Sequence, residues 1–178
     1  MHSEINENLI TAVIAGYSGL SQRISREIGN ILNARNETDE NELIVAASMP
    51  GKSNEPSHSK NKHDLYDVFE RYERMKQGQE KNINGQLIRL IEEQETIDRI
   101  YAAYVALPWK YREVLYNLYG NENNIVEQGI YDLCKKFDKE RTAILRWRKK
   151  AMNIIKELYN SDSSNLDFFR VVENINYR

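Results

Sequence analysis

The sequence is poor in cysteine, proline and glycine, and it lacks long apolar runs. Its single cysteine excludes an intramolecular disulfide and a cysteine-based zinc knuckle. Three prolines and eight glycines among 178 residues are too few turn formers for an all-β sandwich. No apolar run approaches the roughly 18 residues that a membrane span needs, and the chain starts without the basic flank of a secretory signal. We therefore expect a cytoplasmic protein that does not enter a membrane.

Motifs that carry enzymatic chemistry are also missing. The sequence contains no glycine-rich phosphate loop, no G-x-S-x-G, no H-E-x-x-H and no Cys–His pairing. Its three histidines, His2, His58 and His63, do not have the spacing of metal ligands. We therefore expect no enzymatic activity, no bound metal and no cofactor.

Apolar residues are plentiful and recur at helical spacing, which predicts an all-α fold. Hydrophobic residues make up 40% of the chain, enough for the core of one domain. Between Ile5 and Ile31 they recur in steps of three or four, which predicts a long amphipathic helix with a break near Tyr17–Ser21. This stripe suits packing onto residues 65–107 or a coiled-coil seam equally, so a homodimer through residues 5–31 is one of two open alternatives.

The pattern divides the chain into long N-terminal helices and a C-terminal bundle of short ones. A polar loop is expected at 36–41, a helix cap at Asp64 and an interruption at Gln77–Gln79. In the tail, apolar residues around Phe168 predict a short element that docks back or meets a partner. The five predicted segments are an N-terminal helical or oligomerisation segment (1–49), a flexible loop (50–63), a helical hairpin (64–107), a three-helix domain (108–160) and a tail (161–178).

Positive charge is concentrated in one short part of the chain. The net charge is −2, yet residues 135–150 contain eight basic and two acidic residues and so carry +6. The remaining residues therefore carry −8. Because the charge is so unevenly distributed, an anionic partner is expected at this basic segment.

The basic segment belongs to three short predicted helices with the spacing of a helix-turn-helix. These helices cover Trp109–Tyr119, Val126–Phe137 and Lys139–Tyr159, and a tight turn precedes the last. Asp138 has a short acceptor side chain and is expected to cap the last helix. We interpret the apolar residues of that helix as one buried stripe, with Trp147 packing in the core rather than stacking on a base. The stripe comprises Ile144, Trp147, Ala151, Ile154 and Leu158.

This region resembles region 4 of bacterial primary sigma factors over about 50 residues. The matching positions of the first helix are Leu107-Pro108, Arg112, Glu113-Val114-Leu115 and Tyr119-Gly120. Those of the second helix, the turn and the last helix are Ile130, Leu133-Cys134, Phe137-Asp138, Arg141, Ile144 and Ala151-Met152. With its small size and helical N-terminal part, the whole chain resembles the sigma-like regulators of phages of low-GC Gram-positive bacteria, of the RinA and ArpU type. The chain departs from the family pattern at Lys139, Glu140 and Leu145, so the family's base preference is not carried over.

The last helix supplies the candidate DNA contacts. An arginine near the N-terminus of such a helix can donate two hydrogen bonds to guanine O6 and N7, and a leucine can contact a thymine methyl group. The candidate base-reading residues are Arg141, Thr142, Leu145 and Arg146. Other cations are better placed for phosphate contacts, which orient the protein without reading sequence. The candidate phosphate-binding residues are Lys135, Lys136, Lys139, Arg148, Lys149 and Lys150.

The resemblance implies a regulator of transcription, encoded by a phage or prophage and acting in the cytoplasm of the bacterial host. Such a protein would bind promoter or operator DNA as a duplex through the helix 139–159, and RNA polymerase is a further candidate partner. Two alternatives stay open. One is a DNA-packaging protein similar to the small subunit of phage terminases, and the other is a helical RNA polymerase-binding module without DNA affinity.

Overall fold

The computed structural model describes residues 5–48, 65–120 and 125–176. Over these residues the fold is all-α, as predicted, with six helices and no strand. None of these helices, within the described ranges, is long and apolar enough to cross a membrane. The helices are α1 (Glu7–Ser48), α2 (Leu65–Ala106), α3 (Trp109–Tyr119), α4 (Val126–Phe137), α5 (Arg141–Asn160) and α6 (Phe168–Asn176).

Helix α1 begins at an asparagine cap and is broken once. The Asn6 side-chain oxygen accepts a hydrogen bond from the Asn8 N–H at 3.0 Å, as expected of a residue type that favours helix N-termini. Gly16 has non-helical angles (φ −144°, ψ 33°), one residue before the predicted break. The loop predicted at 36–41 is wrong, because α1 continues to Ser48. That segment is polar but contains neither proline nor glycine, so none of its residues strongly disfavours a helix.

Helix α2 is a single helix, so the predicted hairpin over 64–107 is wrong. It continues through the interruption expected at Gln77–Gln79, because Gly78 keeps its backbone N–H and costs a helix only about 1 kcal/mol relative to alanine. Helix α2 ends at Ala106, next to the predicted segment boundary at 107, because Pro108 disfavours helical geometry in the residue before it. The predicted loop at 50–63 and the cap at Asp64 lie outside the described residues.

The chain divides into two compact units, one comprising residues 1–23 and 93–178 and the other residues 24–92. In the unit 24–92, Ile24 is the only described side chain that is buried. Arg35 and Glu80 form an ion pair at 3.9 Å, with both side chains about half exposed.

The other unit has a well-defined core where α3, α4 and α5 pack on one another. Val114 and Leu118 of α3 meet side chains of α4 and of α5 there, and all are buried. Helix α6 packs on α5 with Phe168 and Val172 buried, which confirms the predicted short element that docks back. The core side chains from α4 and α5 are Ile130, Leu133 and Ile144, with Tyr119, Cys134, Phe137 and Trp147 packed against them.

The first part of α1 also packs within this unit. Tyr17 stacks on Tyr101 with ring centroids 3.9 Å apart, and its hydroxyl donates to Asp98 Oδ1 at 2.9 Å. That hydrogen bond raises the pKa of the Tyr17 hydroxyl above its ordinary value. Ile10 and Val13 are fully buried. Of the predicted stripe, Ile5 and Val13 are thus buried inside one chain, whereas Leu9 is exposed by 38%. A homodimer through residues 5–31 stays a prediction.

Candidate nucleic-acid interface

A left-handed residue forms the turn between α4 and α5. Asp138 has φ 51° and ψ 52°, and its N–H bonds back to the Cys134 carbonyl, so it ends α4. The predicted role of Asp138 as the cap of the last helix is wrong, because Glu140 is the residue that precedes α5. Because the left-handed Asp138 reverses the chain direction before a new helix can start, α5 begins at Arg141 and not at the predicted Lys139.

A glycine sets the distance between α3 and α4. A Cβ atom on Gly129 would lie 2.8 Å from the Asn117 carbonyl oxygen and 3.3 Å from Leu118 Cδ2. Only a residue without a side chain fits this close approach. Gly129 was not among the residues predicted to matter, although a lone glycine inside a predicted helix is a signal of such an approach.

The exposed surface of α5 carries two parallel rows of side chains. Successive members of each row are four residues apart, so they follow one another along a single face of the helix. All six side chains are exposed, Leu145 by 38%. The four candidate base-reading residues and two candidate phosphate contacts therefore share one surface. We call this surface the α5 face; its rows are Arg141, Leu145 and Lys149, and Thr142, Arg146 and Lys150.

Three further lysines lie at the end of α4 and in the turn, next in sequence to the α5 face. Lys135, Lys136 and Lys139 are all exposed. Lys136 also bonds the Glu113 carboxylate of α3, and this bond, together with one from Asn117, holds the pKa of Glu113 below its ordinary value. Lys135 lies over the Tyr131 ring with its Nζ 4.3 Å from the centroid. The predicted lysine contacts are thus accessible, although Lys136 has an acidic partner.

Arg148 does not share this surface, and its predicted role as a phosphate contact is revised. Its guanidinium donates to the Tyr119 hydroxyl and, at 3.2 Å, to Glu7 Oε2. Lys156 donates to the same Glu7 carboxylate at 3.4 Å. Arg148 therefore joins α5 to α3 and to the start of α1. Its position four residues after Ile144 and three before the buried Ala151 is a spacing that places it on the inner side of the helix.

An ion pair joins the first turns of α4 and α5. Arg141 Nη1 donates to Glu127 Oε2 at 2.5 Å and Nη2 donates to Glu127 Oε1 at 2.9 Å, so the pair is bidentate. These hydrogen bonds lower the pKa of Glu127 and raise that of Arg141. Both side chains are more than half exposed. Glu127 was not among the predicted site residues, because its partner lies fourteen residues away in a different helix.

Three aromatic rings, one each from α3, α4 and α5, contact one another beside the core. Phe137 makes an edge-on contact with Trp147 at 5.4 Å between centroids and a tilted contact with Trp109 at 5.6 Å. Trp147 is half-buried against the core, which confirms its interpretation as a packing residue. Trp109 remains 61% exposed.

Arg99 of α2 anchors the far end of α5. Its guanidinium donates to the carbonyls of Tyr159 at 2.8 Å and of Leu158 at 3.2 Å, and it also bonds the carbonyls of Ser161 and Ser163. It lies 4.9 Å from the centroid of the Phe168 ring. Carbonyls at a helix C-terminus lack partners within the helix, and a cation there is favourable. Arg99 therefore fixes α5 and α6 together, a role that local sequence patterns do not reveal.

The described residues contain no group of three or more His, Cys, Asp or Glu side chains that could hold a metal ion. His2, His58 and His63 lie outside the described residues. Comparisons of the chain with protein-family models, with curated proteins and with solved structures find no match.

Proposed function

We propose that this chain is a sequence-specific DNA-binding regulator of transcription that reads duplex promoter or operator DNA with α5. The observation that carries the proposal is the α5 face, where four cations, a threonine and a leucine lie exposed on one side of a single helix. The lysines at positions 135, 136 and 139 extend this positive surface to the end of α4.

The dimensions and chemistry of the α5 face suit a major groove. An α-helix with side chains is about 10–12 Å across, and the major groove of B-DNA is about 12 Å wide. Arg141 and Arg146 can each donate a pair of hydrogen bonds to guanine O6 and N7. Leu145 between them offers an apolar contact for a thymine methyl, and the Thr142 hydroxyl can pair with either a donor or an acceptor.

The lysines around these residues supply the attraction that does not depend on sequence. Lys149 and Lys150 continue the two rows of the α5 face, while Lys135, Lys136 and Lys139 precede it. Each phosphate contact releases counterions and contributes about −0.9 to the slope of log K against log salt. Five such contacts would give a slope of about −4.5.

The similarity to sigma region 4 and to phage regulators of the RinA and ArpU type supports a phage or prophage origin and a place in the bacterial cytoplasm. It also makes RNA polymerase a candidate partner.

The decisive experiment is selection from random duplex DNA with the purified full-length chain, followed by binding measurements across a salt series. We expect an enriched motif and a steep salt slope. As a matched pair, Arg146→Ala should lose preference at one position of the motif, whereas Arg170→Ala, which removes the same charge from the exposed surface of α6, should keep it. A salt slope without a motif would favour the DNA-packaging alternative. Absence of binding at low salt would favour the polymerase-binding alternative.

A further inference from the structure

We infer that Glu127 is a positioning residue, which holds the Arg141 guanidinium so that its free edge can recognise a guanine. The inference rests on the proposed function, because it assigns a specificity-determining role within the same site. It concerns a residue of α4 that itself needs no contact with a base.

The ion pair with Glu127 uses only one edge of the Arg141 guanidinium and leaves a second hydrogen-bonding edge available. Glu127 accepts hydrogen bonds from Nη1 and from Nη2, which together form the end of the guanidinium. A guanidinium has five N–H donors in a rigid plane. The Nε–H and the second Nη2–H form another parallel pair along the side of that plane, and they make no bond with the described residues. Such a pair matches the O6 and N7 acceptors of guanine.

The pair also restricts a long side chain before any DNA arrives. Arginine has many rotamers, and ordering a side chain of this kind on binding lowers affinity. A bidentate contact from the first turn of α4 to the first turn of α5 removes much of that freedom in the unbound protein. The ordered rotamer then favours one base over its competitors rather than all sequences equally.

A role in stabilising the fold does not account for the ion pair between Glu127 and Arg141. Both partners are largely exposed, and exposed ion pairs contribute little to folding because water and salt screen them. A carboxylate beside a positive DNA-binding surface also repels phosphate. The two effects of Glu127 therefore have opposite signs, a gain in base preference and a loss in sequence-independent affinity, so one variant can separate them.

The test compares Glu127→Gln with Asp132→Asn. Both substitutions remove one carboxylate from the exposed surface of α4, but Asp132 accepts a hydrogen bond from Gln128 at 3.0 Å and makes none with Arg141. Binding is measured for the full chain on its selected duplex, on the four versions of the base pair that Arg141→Ala identifies, and on random duplex DNA. Thermal unfolding of every variant checks that the fold is kept.

We expect both variants to bind random duplex more tightly than the wild type. Only Glu127→Gln should lose preference at the base pair assigned to Arg141, by about 3- to 10-fold. The double variant Glu127→Gln/Arg141→Ala should show no further loss relative to Arg141→Ala. If the wild type selects a motif and Glu127→Gln keeps its base preference, or loses no more than Asp132→Asn, the inference is wrong and the proposed function stands. If the wild type selects no motif, the proposed function fails and the inference fails with it.

Discussion

The two halves of α5 have opposite surroundings. Residues 141–150 present the α5 face to solvent, and within this half only Ile144 is fully buried. Residues 151–160 include six buried side chains, and Arg99 binds the carbonyls at their end. The helix is thus held firmly at one half and left accessible at the other. This arrangement suits recognition, because groups that must meet a target in a fixed geometry are best placed on a rigid element.

The largest expected effect is the loss of stability caused by a mutation in the buried half of α5, residues 151–160. Ile155→Ala should lower the free energy of unfolding by about 2–5 kcal/mol, because Ile155 is fully buried and its removal leaves a cavity. Leu145→Ala on the exposed half should change that free energy by no more than about 0.5 kcal/mol. Chemical denaturation of the two variants measures both values. Equal losses would show that the two halves do not differ as described.

The next largest effect distinguishes the roles of Arg146 and Arg148, which lie two residues apart in α5. Arg146→Ala should cost about 1–3 kcal/mol on the selected DNA and blur preference at one position. Arg148→Ala should instead lower the stability of the fold, because it removes the bonds to Tyr119 and Glu7. Binding titrations and thermal unfolding on both variants distinguish these outcomes. If Arg146→Ala bound every sequence as the wild type does, the assignment of the α5 face would be wrong.

A smaller effect distinguishes two lysines of α5. Lys149→Ala should weaken binding to all sequences alike and reduce the salt slope by about one. Lys156→Ala, whose partner is Glu7, should leave the salt slope unchanged. Binding to random duplex DNA over a range of salt concentrations measures both slopes. Identical slopes for the two variants would mean that Lys149 does not contact a phosphate.

The smallest expected effect is a pH dependence of stability from Glu113. The bonds from Lys136 and Asn117 hold its pKa in the folded state below the ordinary value of 4.5. Its contribution to stability is therefore present above about pH 4.5 and is lost as the pH falls through the lowered pKa. The difference in unfolding free energy between the wild type and Glu113→Gln should shrink with acidification below pH 4.5. Lys136→Met should show the same trend, and a difference independent of pH would refute this role of the pair.

Local signals in the sequence were sufficient to predict where the short helices α3 and α4 begin and end. Helices α3 and α4 have the predicted bounds, because Pro108 and Gly120 flank α3 and the turn residue Asp138 follows α4. The long helices were predicted less well. Polar composition at 36–41 and Gly78 suggested breaks, but neither removes a backbone donor, so the helices continue through both.

The candidate site was likewise predictable only in part from the sequence. Helical periodicity alone places the four candidate base-reading residues on one exposed face, because that face is the complement of the buried stripe around Ile144 and Ala151. The partners of Arg99, Glu127 and Arg148 could not be predicted from local pattern. Each of these side chains bonds a residue of another element, and a single sequence contains no local signal for such a contact.

We propose that Arg141 and Arg146 on the α5 face recognise guanines through the major groove. Methylation interference on the selected duplex tests it most directly, because a methyl group on guanine N7 removes the acceptor that an arginine would use. We predict that methylation of particular guanines blocks binding of the wild type, and that Arg141→Ala or Arg146→Ala abolishes the interference at one of them. Binding that is insensitive to methylation at every guanine of the motif would contradict this role of the two arginines.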